Sequence, residues 1–202
     1  MPGQGLGLPV YKLLGGTRTE RIRPYATCYP GDIYDGPMSA VLDEITRQAA
    51  IAADQGLTAV SPVRVGGAEF AAGRWEAREW LTTGGVSLVQ PGVSRAGGFT
   101  ELMRIAELCE LHGAQLTPHS FATGITDVAN FHLQAAALTI PMVEFRSSRL
   151  GPSRLRTELV HPPEPEIVDG CAALPTGAGL GVELNDELVA AHTLDAAGGR
   201  SD

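Results

Sequence analysis

Residues 86–117 read VSLVQPGVSRAGGFTELMRIAELCELHGAQLT, and this stretch predicts a strand, a helix and a second strand in succession. The first strand, 86–90, is closed by Pro91 and Gly92. Thr100 is placed to cap the helix, whose apolar side chains recur at spacings of three and four residues: Leu102, Met103, Ile105, Ala106, Leu108 and Cys109. Gly113 ends the helix, and a second short strand follows. Parallel βα units have this order of elements.

The same alternation extends along the rest of the chain. Strand patterns lie at 23–27, 57–65 and 142–145, and helical patterns begin at Pro37, near Trp75 and at Gly124. About five strands alternating with helices predict an α/β fold. A closed barrel of eight such units needs about 250 residues, whereas this chain has 202. The sequence therefore favours an incomplete (β/α) barrel of the TIM type or an open α/β sheet.

Composition narrows the classes of partner. The net charge is -8, the isoelectric point is about 5.1, and Lys12 is the only lysine, so we expect no nucleic acid or anionic membrane partner. No apolar run approaches the roughly 18 residues of a membrane span. Cys28, Cys109 and Cys171 are odd in number and far apart, which argues against a disulfide framework and favours the cytoplasm.

A longer motif points to a family. Residues 90–101 read QPGVSRAGGFTE and resemble the sixth-strand segment Gln-Pro-Asp-Val-Ser-Arg-x-Gly-Gly-x-Thr-Glu of mandelate racemases and muconate lactonizing enzymes in the enolase superfamily. Further matches follow in family order at 118–120, 142–145 and 175–184. The resemblance implies a barrel enzyme that uses Mg²⁺ to remove a proton next to a carboxylate. Among these enzymes, the sugar-acid dehydratases are the most similar.

The resemblance also divides the chain. Residues 1–16 look like the last helix of the family's capping domain, 17–184 like its barrel, and 185–202 form a tail that we expect to be frayed. Within the barrel, 56–60 resemble the second strand and 62–69 the fifth. The family's third and fourth strands therefore look deleted at a junction near 61–62. The expected fold is an incomplete TIM-type barrel with about five βα units and an irregular C-terminal extension.

Two of the three metal ligands that the resemblance implies are missing from this sequence. Family members hold Mg²⁺ with carboxylates at the ends of the third, fourth and fifth strands, and only Glu69 matches one of these positions. Mg²⁺ requires nearly octahedral oxygen coordination, so one carboxylate plus water binds it weakly. The alternative for Glu69 is a solvated carboxylate in a Gly-Ala loop. The family's second-strand lysine base has no counterpart, because Ser61 and Pro62 occupy that stretch.

Two further residues match family positions. His119 matches the seventh-strand histidine, a general acid or base, and the alternative is a structural hydrogen bond at the barrel rim. The aspartate that orients this histidine in the family is replaced by Gly92, so we expect a poorly tuned imidazole. Glu144 matches the eighth-strand glutamate that donates a hydrogen bond to the substrate carboxylate. Its alternative is a rim salt bridge with Arg95 or Arg146.

Two functions follow from these residues. The first is a Mg²⁺-assisted sugar-acid dehydratase or racemase, impaired by the lost groups, with Glu69, His119 and Glu144 in the family roles. The second is a non-catalytic remnant that forms homo-oligomers or associates with a full-length relative, because an incomplete barrel exposes strand edges. An active enzyme would need its two missing carboxylates from another chain. His132, on an apolar helix, is expected to be a packing or surface residue.

Overall fold

The structure is a computed structural model, and it describes residues 2–25, 38–56, 66–83, 86–145, 149, 153–162 and 165–194. The proposed junction near 61–62 and the second-strand segment lie outside the described residues. The α/β class is confirmed, because short parallel strands alternate with helices. The helices are α1 Pro2–Leu6, α2 Val10–Leu13, α3 Met38–Asp54, α4 Arg74–Thr82, α5 Gly98–Leu111, α6 Gly124–Ala136, α7 Arg154–Thr157 and α8 Asp186–Ala191. None of these described helices is long and apolar enough to cross a membrane.

The strands are each two residues long, shorter than the sequence patterns suggest. They are β1 Pro24–Tyr25, β2 Gly66–Gly67, β3 Leu88–Val89, β4 Gln115–Leu116, β5 Val143–Glu144, β6 Val160–His161, β7 Ile167–Val168, β8 Cys171–Ala172 and β9 Glu183–Leu184. The pattern therefore located the strands and overestimated their length.

Parallel strands form one wall of the fold. β2, β3 and β4 pair in that order, and β1 pairs with β5 so that Pro24 lies opposite Val143. The two groups meet where the amide of Glu144 donates to the carbonyl of Pro118, 3.3 Å away. The wall therefore runs β2-β3-β4-β5-β1, which places the first strand beside the fifth.

This wall is curved. The side-chain amide of Gln90, next to β3, donates to the hydroxyl of Tyr25 on β1 over 3.1 Å. In a flat sheet, strands three places apart would be separated by about 14 Å, which is three inter-strand spacings. Parallel strands, covering helices and a curved wall are the features expected of a TIM-type barrel.

The start of α5 differs from the prediction. Thr100 lies inside the first turn, and the N-cap position is Gly97, whose φ of 101° is in the left-handed region. The amide of Gly98 donates to the carbonyl of Val93, which closes a turn ahead of the helix. Glycine tolerates this backbone conformation without steric cost, so the turn, and not a threonine hydroxyl, begins the helix.

An ion pair fastens α5 to α4. Arg74 donates to Glu101 through Nε and a terminal nitrogen, each over 2.7 Å, and its backbone amide also donates to Glu101 over 3.0 Å. These hydrogen bonds hold the pKa of Glu101 at about 2. Because this folded-state pKa is depressed, the stabilisation is present above pH 4.5 and is lost as the pH falls toward about 2.

The C-terminal part is more ordered than the sequence suggests. β6 pairs antiparallel with β9, and β7 with β8. The predicted frayed tail includes α8, whose N-cap Asn185 accepts a hydrogen bond from the amide of Leu188. An Asn N-cap followed by acidic residues in the first turn is a standard helix start. The expectation of a wholly irregular extension was therefore wrong for these residues.

Helix α6 lies at the centre of the core. Every residue of α6 is buried except Ile125, which is partly buried. His132 is fully buried and accepts a hydrogen bond from the amide of Tyr11, and its other ring nitrogen lies 3.1 Å from the carbonyl of Leu180. The packing interpretation of His132 is confirmed, and burial lowers its pKa. This imidazole therefore links α2 and α6 to Leu180 in the C-terminal part of the chain.

Gly124 allows the first turn of α6 to pack directly against α7. A Cβ at this position would lie 2.6 Å from the carbonyl oxygen of Arg156 and 3.2 Å from a methyl group of Val160. The first contact is with backbone, so the two segments would have to separate to accept any side chain. The close approach brings the side chain of Arg156 within reach of α6.

We expect Gly124→Ala to destabilise the protein by about 1–3 kcal/mol, because it overpacks this contact. Urea denaturation would measure the loss. Gly5→Ala is the matched control, since nothing lies within 4 Å of a Cβ built at Gly5. That variant should keep or slightly raise the free energy of unfolding. Equal stability of the Gly124→Ala variant and the parent would contradict the packing argument.

Candidate active site

The predicted site residues lie where parallel strands of the wall end. Glu144 is the last residue of β5, His119 follows β4, and Glu69 follows β2. Gly92, after β3, forms a parallel bridge with His119. The carboxyl ends of parallel strands share one edge, where α/β folds place their functional groups. The structure therefore gathers these residues at one end of the wall.

His119 and Glu144 form a close pair. The Nδ1 atom of His119 lies 2.6 Å from Oε2 of Glu144, whose side chain is 3% exposed against 24% for the imidazole. The amide of Ser120 donates to the same carboxylate oxygen over 2.6 Å. The proposed rim contact of Glu144 with Arg95 is wrong, because Arg95 instead donates to the carbonyl of Phe70. Arg146 lies outside the described residues.

This pairing changes the expectation for His119. Its hydrogen bond to Glu144 raises the pKa of the imidazole; burial opposes the rise, the charges of Glu144 and Glu69 add to it, and Arg156 reduces it. The expectation that Gly92 leaves the imidazole poorly tuned was therefore wrong, since Glu144 supplies the missing carboxylate. Because the folded-state pKa is raised, this stabilisation is complete below pH 6.5 and is lost as the pH rises through the folded pKa.

The opposite side of the imidazole carries Nε2. His119 stacks on the ring of Phe121, with 6.3 Å between centroids and 10° between planes. Among the described residues, no side chain or carbonyl hydrogen-bonds to Nε2 of His119. With Nδ1 engaged by the carboxylate, Nε2 is the nitrogen that can meet a substrate. The arrangement suits proton transfer through Nε2.

A buried network lies behind the pair. The hydroxyl of Ser120 donates to Asp127 on α6. Arg156 of α7 donates hydrogen bonds to Asp127. One guanidinium nitrogen lies 3.0 and 3.3 Å from the two carboxylate oxygens of Asp127. Sequence reasoning missed Asp127 and Arg156. The only available signal was the single acidic residue, Asp127, in the helical stretch 124–136.

The described residues do not fit a Mg²⁺ site. No three of their His, Cys, Asp or Glu side chains converge in a way that could hold a metal ion. Glu69 is exposed in its loop. Mg²⁺ requires near-ideal octahedral oxygen coordination and gives up its water reluctantly, so a solitary exposed carboxylate does not supply it. The chemistry of this site is therefore derived from its own side chains alone.

Comparisons with known proteins bear on the family and the fold. The sequence model of a family described as Enolase C-terminal domain-like matches residues 34–188. D-galactarolactone cycloisomerase of Agrobacterium fabrum is 33% identical over 136 residues, covering 63% of this chain and 35% of that enzyme. Arabinonate dehydratase of Saccharolobus solfataricus is 35% identical over 124 residues, covering 61% and 32%. The chain thus spans about a third of the length of these curated relatives.

A solved structure extends the similarity to nearly the whole chain. A provisionally assigned racemase superimposes with a TM-score of 0.85 at 29% identity, covering 94% of this chain and 70% of that one. The curved parallel wall with its covering helices is therefore shared with that protein. The match agrees with the fold that residues 90–101 indicate.

We expect Glu144→Gln to lower the pKa of His119 toward the ordinary value of 6.5, because the substitution removes the paired negative charge. A glutamine oxygen can still accept from Ser120, so the loop should stay in place. Titration of the His119 Cε1 proton by NMR measures the change. His132 is the internal reference, since burial lowers its pKa and the substitution leaves its partners Tyr11 and Leu180 unchanged. Identical His119 titrations in both proteins would contradict the pairing.

Proposed function

The chain belongs to the enolase C-terminal domain-like family, and from that premise we propose that its site donates a proton to the departing hydroxyl of a sugar acid. This is the acid step of a dehydration. The observation that supports it is the 2.6 Å contact between Nδ1 of His119 and Glu144. The substrate class rests on the names of the relatives, which act on sugar acids or their lactones.

The state of the imidazole favours the acid role over the base role. A raised pKa keeps His119 protonated at higher pH than an ordinary histidine. The buried Glu144 carboxylate stabilises the imidazolium through Nδ1, and the second proton, on Nε2, is available at the partly exposed edge of the ring. A general acid is most effective when its pKa lies near the working pH.

Nε2 of His119 is the proton donor in the proposed step. The Nε2–H bond breaks, a new O–H bond forms on the departing hydroxyl, and the hydroxyl leaves as water with the electrons of its C–O bond. The neutral imidazole then takes a proton from solvent while Glu144 keeps its orientation. The electrons that form the new double bond come from a C–H bond next to the carboxylate. The proton of that C–H bond passes to water, since the family's second-strand lysine base is absent from this sequence.

We expect dehydration of arabinonate or galactonate by this chain to be slow and to depend on His119. His119→Asn should lower the rate by about 10²–10⁴-fold, the usual contribution of a general acid. Formation of the dehydrated keto acid, followed chromatographically, is the measurement. His112→Asn, at the exposed C-terminal end of α5, is the matched control and should leave the rate unchanged. Equal rates for His119→Asn and the parent would exclude the acid role.

Magnesium binding is a separate question. Because one exposed carboxylate does not fit Mg²⁺, we expect isothermal titration calorimetry of the full chain to show no tight Mg²⁺ binding. The Glu69→Ala variant should give the same trace. Tight binding to the parent that is lost in Glu69→Ala would show that a metal site forms, and would assign Glu69 to it.

A second candidate function is a non-catalytic subunit, favoured by the lack of a metal cluster among the described residues. Such a chain would act by associating with itself or with a full-length relative, whose carboxylates would complete the site. Within the described residues, β2 has β3 as its only strand neighbour. An open strand edge favours pairing with another chain.

We therefore expect the purified chain to form dimers or larger oligomers. Size-exclusion chromatography with light scattering at several protein concentrations measures the assembly. A monodisperse monomer at every concentration would contradict the subunit proposal. It would leave the acid role of His119 untouched, since that role is tested by the His119→Asn rate.

A further inference from the structure

Three charged side chains surround Ser120, and each bonds to a different polar group of this residue. The Ser120 amide donates to Glu144, its hydroxyl donates to Asp127, and its carbonyl accepts from Arg156 over 3.3 Å. All four residues are buried, Arg156 to 5% exposure and Ser120 completely. Ser120 is therefore fixed on every polar side, directly next to His119.

Helix α6 also holds the neighbouring backbone. Asn130 donates its side-chain amide to the carbonyls of Pro118 and His119, over 3.5 and 3.3 Å. The carbonyl of Pro118 in addition accepts the amide of Glu144. The segment 118–120 is thus bound on one side by α6 and on the other by β5, the strand that carries Glu144.

Stability alone explains this network poorly. Burying a guanidinium and a carboxylate carries a large desolvation penalty, and apolar residues of similar volume often serve a fold as well or better. An arginine, however, offers a planar fork that can hold a carboxylate and a carbonyl at once. Here the fork joins Asp127 to the backbone of Ser120. The network therefore uses the planar geometry of the Arg156 guanidinium as well as its charge.

We propose that Asp127 and Arg156 are positioning residues for the His119–Glu144 pair. They fix Ser120, the Ser120 amide fixes Oε2 of Glu144, and that oxygen orients the imidazole through Nδ1 so that Nε2 is presented to substrate. In this chain the network takes over the orienting task that the resemblance assigns to the carboxylate replaced by Gly92. The inference rests on the proposed function only where it refers to substrate.

The close contact at Gly124 supports the assignment. Arg156 reaches Asp127 because α7 packs on the first turn of α6 without an intervening side chain. The network is consequently part of how α7 docks. The network extends from Arg156 on α7 to the imidazole of His119.

The test is the pKa of His119, read by NMR in the full-length chain carrying Ser120→Ala, Asp127→Asn or Arg156→Lys. The charges that act on His119 are those of Glu144, Glu69 and Arg156. Ser120→Ala changes no charge, so any shift it causes reports on position alone. We expect all three variants to lower the His119 pKa, because Glu144 is no longer held against the ring.

Two further variants separate position from charge and from stability. The double variant Asp127→Asn/Arg156→Met removes both charges. Positioning predicts that the His119 pKa still falls, whereas a purely electrostatic role predicts that it rises, because the lowering effect of the Arg156 charge is lost. Glu101→Gln breaks the Arg74–Glu101 pair between α4 and α5, away from this network. It should lower the unfolding temperature without moving the His119 pKa.

The outcomes are distinct. The proposal is overturned, whatever happens to stability, if the His119 pKa stays at the parent value in Ser120→Ala and stays there or rises in the double variant. Where turnover is measurable, positioning further predicts a loss in kcat of about 10-fold or more with little change in KM, as for outer residues that orient a catalytic group. A shifted pKa in a chain without turnover would sustain the positioning role and reject the dehydratase function.

Discussion

Burial of nearly every residue of α6 is the constraint on which the rest of the structure depends. A helix buried in this way needs hydrogen-bond partners for the polar side chains that it carries, because an unsatisfied group in the interior is costly. His132 forms hydrogen bonds with the backbone of Tyr11 and Leu180, and Gln134 forms them with the backbone of Arg23 and Pro141. Asp127 forms hydrogen bonds with the loop after β4 and with α7. The bonds that satisfy α6 are thus also the bonds that place the surrounding segments.

The sequence predicted the order of elements well and their ends less well. Three- and four-residue spacing located α5, because apolar periodicity reflects burial of one helical face over many residues. The start of α5 was misplaced at Thr100, because a left-handed Gly97 outweighed the capping preference of a threonine. The helix α8 was missed because six residues carry too little periodicity to stand out from a polar tail. Local signals fail where a turn or a cap decides the outcome.

Local sequence patterns predicted the positions of the site residues but not the contacts between them. The motif around residues 118–120 and the match at Glu144 pointed to the right strand ends. Their direct contact depends on how β4 and β5 lie beside each other, which no local pattern contains. Arg156 gave no signal at all, because an arginine in a Pro- and Gly-rich stretch usually indicates a solvated surface. Its burial results from the packing of α7 on α6.

The pairing of β1 with β5 affects how the chain is made as well as how it is held. Residues 24–25 find their partners only at 143–144, and the amide of Tyr11 finds its imidazole 121 residues further along. Loop closure over such a distance costs only slightly more entropy than over half of it, but non-local contacts slow folding. During synthesis, β1 therefore leaves the ribosome well before its partner strand exists. The strand β1 can pair only after residues 143–144 have been translated, so for that interval its residues lack the partner that covers them in the finished fold.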